Sequence, residues 1–226
     1  MDANEFDEFL ILEKMGELNS KLIGQTSLVR ADSREAYALD YIGKAFYFLA
    51  NTLQYDKETA EAVKDIEDKN ERLKVYHERL NLKRCILEGV GVCRQFATYL
   101  SYVIANDNSG PSRFGINVKC NIVNGRVMQK DGGKEVHSLC EFTIGGKTYY
   151  CDLSMAISHK EAMQAFCLKS KEELQQAFSD YHNGSYMDSK VVRFTVEQDK
   201  LGTLYNVLED FCDKQKTNQS ISFSDL

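Results

Sequence analysis

The 226-residue chain carries 34 acidic and 28 basic side chains, a net charge of −6, with 43% hydrophobic and 27% charged residues. That balance suits one sizeable globular core. The acidic excess, with no dense basic run, excludes a phosphate-neutralising surface, so nucleic acid is not an expected partner. A lone proline, Pro111, and the lack of Trp favour long uninterrupted elements and predict a compact, helix-rich protein.

Seven cysteines, Cys85, Cys93, Cys120, Cys140, Cys151, Cys167 and Cys212, form no CxxC pair, and the four histidines, His77, His137, His159 and His182, are scattered. Reduced thiols, with no disulfide framework, structural metal or cofactor, are the expectation. The opening segment MDANEFDEFLILEKMG is acidic and lacks the positive start, apolar stretch and small-residue cleavage site of a secretory signal. No run reaches the ~20 apolar residues that span a bilayer. A soluble, cytoplasmic protein with no membrane partner is expected, although export without a cleavable signal would leave no trace in such a reading.

In chain order, the first eighty residues predict three helices. Phe6, Phe9, Leu10, Leu12 and Met15 form one apolar stripe. Ala36, Leu39, Ile42, Gly43, Phe46, Leu49 and Leu53 form a second, opened by Asp32 and Ser33 as caps. From Lys57 to about Leu80 a charged helix keeps only a thin apolar face. The small-residue turn Gly89 to Val92 then leads into Cys93 and the apolar run Phe96, Ala97, Tyr99, Leu100, Val103 and Ile104, so Cys93 should open a helix.

Past the turn-rich segment Asn106 to Ser112, alternation predicts strands through Ile116, Val118, Cys120 and Ile122, over Val136 to Ile144, and over Lys147 to Leu153, with Gly145–Gly146 as a tight hairpin turn. A helix over about Ser170 to Tyr181, a strand over Val191 to Val196, a helix over about Leu201 to Lys214 and a polar tail complete the expected order.

Three of these positions combine into a chemistry. A thiol attacks as thiolate, which the unpaired N–H groups and dipole of a helix start favour, and Cys93 is expected at such a start. The same N–H groups can receive the oxyanion of an acyl-transfer intermediate. An imidazole must reach the sulfur, and His137 lies near the start of a rigid strand. A third group must hold the imidazole in one tautomer, and Asp152 ends the next strand across the hairpin. The order Cys, His, Asp is weak alone in a chain with this many cysteines and histidines. The other six cysteines read as inert buried or half-buried thiols, and His77, His159 and His182 as surface groups.

GVCRQFA, Gly91 to Ala97, closely resembles the G-V-C-R-[D/E]-[F/Y]-A signature around the nucleophile of bacterial transglutaminase-like proteins. Gly115, Ile116, Val118 and Lys119 match that family's G-I-x-[A/V]-[R/K] strand, His137 and Ser138 its H-[A/S] strand, and Tyr149, Tyr150 and Asp152 its aromatic-before-Asp motif. The resemblance runs over roughly Tyr55 to Leu153. It implies an α+β fold with a papain-like core, in which a Cys-bearing helix packs on an antiparallel sheet bearing His and Asp. The departures are Gln95 for the usual acid, Leu139 where Trp often stands, and Leu153 where Pro often stands. Without that Trp the second oxyanion donor is unassigned, with Gln54 and Tyr55 as guesses.

The combined expectation is a thiol enzyme acting on amide bonds of a protein or peptide through a Cys93 thioester, by peptidase, deamidase or transglutaminase-type transfer, with hydrolysis slightly favoured. The alternative is a catalytically silent transglutaminase-like module that binds a partner protein. Acyl transfer from a small thioester, as in arylamine acetyltransferases, ranks below both. The expected organisation is a helical region at 1–80 packed on the core, a catalytic core at 81–216 and a flexible tail at 217–226.

Overall fold

The computed structural model describes residues 3–26, 33–106, 109–129, 133–182, 184–186 and 190–193. Helix α1 (Ala3–Gln25) turns Ile11, Met15, Leu18 and Leu22 inward. The expected stripe through Phe9 and Leu12 is corrected, for these stand 54% and 48% exposed. The helix runs ten residues past Met15, and the longer 3.6-residue repeat from Ile11 to Leu22 decides which face is buried. Helix α2 (Arg34–Thr52) starts where Ser33 Oγ accepts from the Ala36 N–H at 3.1 Å. It buries Ile42, Phe46 and Leu49 as expected, and also Tyr37 and Tyr41.

The charged segment after residue 56 is not one helix. Strand β1 (Gln54–Tyr55) precedes α3 (Lys57–Lys64), and a break separates it from α4 (Lys69–Arg79). Each helix has its own aspartate cap: Asp56 accepts from the Thr59 N–H at 3.0 Å, and Asp68 from the Glu71 N–H at 2.8 Å. Such caps fix starts that charge-rich periodicity hides. Helix α5 (Leu82–Glu88) is capped by Asn81 and ends at Gly89, whose φ of +75° is the left-handed stop that glycine supplies. Strand β2 (Val90–Gly91) pairs in parallel with β1.

Helix α6 (Cys93–Ala105) follows, then the short α7 (Gly110–Arg113). Strands β3 (Lys119–Gln129), β4 (Lys134–Ile144) and β5 (Lys147–Cys151) form an antiparallel meander. It turns at Gly145 and Gly146, with φ of +57° and +81°, as a primed hairpin turn requires. Helix α8 (Leu153–Ser158), a 3₁₀ segment over Lys160–Phe166 and α9 (Lys171–His182) come next. Strands β6 (Gly184–Tyr186) and β7 (Lys190–Arg193) both pair with the free edge of β3, giving five antiparallel strands.

Helix α6 is the centre of the described structure. It contacts β3 and β4 on the sheet, and α2, α5 and α8 elsewhere. Phe96, Leu100, Val103 and Ile104 are at most 1% exposed, and burying each such side chain contributes about 1.5–3 kcal/mol before entropy is counted. The described residues all fall within one compact unit, Met1–Val196. They make a mixed helix-and-sheet protein of the α+β class. No helix among them is long and apolar enough to cross a membrane. The helix expected over 201–214, the tail, the last three residues of the strand expected over 191–196 and Cys212 lie outside the described residues.

Candidate active site

Cys93 is the first residue of α6, and its side chain is half-buried. The turn before it is built from close contacts. β1 and β2 are joined by hydrogen bonds from the Gln54 N–H to the Gly89 carbonyl at 2.8 Å and from the Asp56 N–H to the Gly91 carbonyl at 2.9 Å. A Cβ on Gly91 would lie 3.2 Å from Gln95 Cβ and 3.3 Å from both Cys85 Sγ and Phe96 Cε1. Only glycine fits there without displacing neighbours.

Val92 is the N-cap and has no side-chain acceptor to offer the first turn of α6. Helix starts usually carry Ser, Thr, Asp or Asn there, so the residue before Cys93 supplies no side-chain cap to this one. Gln95 supplies the opposite connection: its Oε1 accepts from the Val92 N–H at 3.3 Å, and its Nε2 donates to the Leu80 carbonyl at 2.7 Å. Gln95 is 1% exposed. The departure from the acidic residue thus has a local reason, because a carboxylate could not donate to Leu80.

His137 Nε2 lies 2.6 Å from Asp152 Oδ2, and both side chains are buried. Cys93 is near enough to the His137 imidazole to act on its protonation. Burial by itself would lower the His137 pKa; the charge and hydrogen bond of Asp152, joined by the interactions with Cys93, overcome this and raise it to about 10. The shift favours the protonated imidazole. The ring of Phe178 on α9 stands edge-on to it, with centroids 5.7 Å apart.

One detail of the expected site is corrected. Asp152 does not end a strand: pairing stops at Cys140–Cys151, and Asp152 is the N-cap of α8. Its Oδ1 accepts from the Met155 N–H at 3.0 Å while Oδ2 faces His137. One carboxylate thus caps a helix and orients a histidine, and the cap fixes its rotamer. Asp followed by an apolar run is itself a helix-start signal, hidden here by strand alternation running directly into it. Leu153, at the position where the resemblance has proline, is the first residue of α8, a place proline also suits.

The structure brings His137 and Asp152 together, and Cys93 opens α6, the helix that packs on the strand carrying His137. β1–β2 pairing puts Gln54 beside Val90 and Tyr55 beside Gly91; Gln54 is exposed, and Tyr55 packs edge-on to Phe96 at 6.2 Å. Leu139 is buried. Cys85, Cys120, Cys140, Cys151 and Cys167 are all buried. Cys140 Sγ donates to the Ala97 carbonyl at 3.1 Å, and burial pushes its thiol up to about 12. His159 and His182 are not simple surface groups: both are half-buried in an aromatic cluster with Phe166 and Phe178. Phe178 and Gln95 are the neighbours of the site that sequence reasoning missed. No short-range pattern marks Phe178, whereas Gln95, three residues past the N-cap, occupies the reach-back position of a capping box.

No protein-family model matches the chain, and no curated protein matches it. Among solved structures, one titled "Crystal structure of a TGase" aligns at a TM-score of 0.40 and 17% identity, over 76% of this chain and 38% of that one. The chain therefore spans well under half of that structure's length, and a likeness of that size says nothing of chemistry.

Proposed function

We propose that this chain is a transglutaminase-like thiol enzyme that acts on amide carbonyls of a protein or peptide. The observation that supports it most is the buried His137–Asp152 pair at 2.6 Å, on the strand against which the helix opened by Cys93 packs. The Cys93 thiolate attacks the carbonyl carbon, and the oxyanion that forms faces the N–H groups of the helix start. The C–N bond then breaks as the His137 cation gives its proton to the departing amine, leaving a thioester on Cys93. Water, deprotonated by the now neutral His137, attacks the thioester, releases the carboxylic acid and restores the thiolate. Ammonia as the leaving group makes the same steps a deamidation, and an amine in place of water makes them a transamidation. Hydrolysis is the favoured outcome, since water needs no second binding site.

Iodoacetamide tests the reading. Cys93 should alkylate near neutral pH at least about tenfold faster than free cysteine, as activated thiols do, and His137→Ala should abolish the advantage. A Cys93 that reacts no faster than free cysteine would leave the silent binding module as the better reading. Comparing peptides released from a proteome by wild type and by Cys93→Ala then identifies the acyl acceptor.

A further inference from the structure

We propose that Gln95 is a positioning residue that sets the aim of the oxyanion site, a reading that rests on the thiol-enzyme function above. A capping box has two halves: the N-cap side chain takes the N–H three residues on, and the residue at that third position reaches back to the N-cap N–H. Here only the second half exists. Gln95 Oε1 accepts from the Val92 N–H at 3.3 Å, while Val92 has no acceptor to return. The chain direction at the helix start is thereby held without occupying the N–H groups that a developing oxyanion needs.

A second contact anchors the device. Gln95 Nε2 donates to the Leu80 carbonyl at 2.7 Å, in the link between α4 and α5, so the turn before Cys93 is tied to a separate part of the structure. The glycine before Val92 is matched to it, because a side chain at Gly91 would press on Gln95 Cβ at 3.2 Å. A side chain that is 1% exposed, uses both ends of its amide and spans fifteen residues of chain is a rigid strut. Its two partners are the carbonyl of Leu80 and the amide of the residue next to the nucleophile.

Alkylation and acylation separate this role from a merely structural one. Iodoacetamide reacts with a thiolate by displacement at carbon and forms no oxyanion. p-Nitrophenyl acetate acylates through a tetrahedral oxyanion and releases p-nitrophenol. Gln95→Met keeps the volume and removes both hydrogen bonds. Rates should be taken at a temperature where circular dichroism shows the variant folded; if Gln95→Met does not fold, Gln95→Leu, which also removes both hydrogen bonds, is used. The acylation rate should fall about tenfold or more, as losing the aim of an oxyanion donor does, while the alkylation rate changes less than about threefold on the same scale. Parallel falls in both rates, or wild-type values for both, would overturn the positioning role. A wild-type Cys93 without enhanced alkylation would instead overturn the enzyme reading itself, so the two failures are distinct.

Discussion

At the residue scale, one histidine carries two opposed demands. Desolvation disfavours its charge and Asp152 favours it, and the carboxylate wins, raising the pKa to about 10. The sign of the linkage follows from a folded value above the ordinary one. The pair stabilises the fold fully below about pH 6.5, and this contribution is lost as pH rises toward the folded value. Asp152→Asn separates charge from capping, because an asparagine oxygen can still accept the Met155 N–H. Its imidazole titration, followed by NMR, should drop to or below the ordinary histidine range, with a matching fall in Cys93 alkylation at pH 7 and a melting temperature lowered most below about pH 6.5, where the pair contributes fully. An unchanged titration would show that Asp152 does not charge the imidazole. The remaining described thiols differ from Cys93 in accessibility: all five are buried, and burial raises those of Cys85, Cys120, Cys140 and Cys151. Mass spectrometry after brief native alkylation should find label on Cys93 and none on these five until the protein is unfolded.

At the element scale, the turn into α6 hangs on Asp56. Its buried carboxylate caps α3 and pairs with Arg84 Nη1 at 2.6 Å, while its N–H holds Gly91. Burial would raise its pKa, but the hydrogen bonds from Thr59 and Arg84 and the Arg84 charge lower it overall. Its stabilising effect is therefore present above its ordinary value near 3.8 and lost as pH falls through the folded one. Asp56→Ala should cost about 1–3 kcal/mol at pH 7 through the lost cap and pair, and the deficit should shrink in urea melts repeated toward pH 2. Much of this level was legible in the sequence, and the reason lies in what each element depends on. The α6 start, β4 over Val136–Ile144 and the Gly145–Gly146 turn follow from local periodicity and glycine placement, whereas the strand expected through Ile116 to Ile122 starts only at Lys119 and runs on to Gln129. The break between α3 and α4 did not emerge, because a run of charged residues has the same composition whether or not Asp68 interrupts it. Asp152 was singled out as the partner of His137, which it contacts, but misplaced as a strand end, since only the register Cys140–Cys151 shows where pairing stops. Segment 154–169 was not assigned at all: its burial is set partly by α2 and α6, far away in sequence.

At the scale of the whole molecule, the two ends of α6 are anchored by different means, and this predicts a separation of stability from reactivity. The Cys93 end is held by Gln95. The far end is held by a buried polar chain through three helices. Tyr41 on α2 donates to Asn19 Oδ1 on α1 at 2.7 Å, and Asn19 Nδ2 donates to Asn106 Oδ1 at 3.3 Å. Asn106 Nδ2 in turn donates to the Tyr102 and Val103 carbonyls at 2.8 and 3.0 Å, which closes the last turn of α6. Asn19→Leu keeps a comparable volume but removes both hydrogen bonds that Asn19 makes. A buried hydrogen bond contributes about 0.5–1.5 kcal/mol net, so the loss should be about 1–3 kcal/mol. Because α1, α2 and α6 share one core, the melt should remain a single transition at lower temperature rather than split in two. The alkylation rate of Cys93 in the folded fraction should stay at the wild-type value, since the Gln95 strut and the His137–Asp152 pair are untouched. A split transition would mean that α1 and α2 unfold apart from α6. A loss of reactivity without a loss of stability would mean that the far end of α6 steers Cys93.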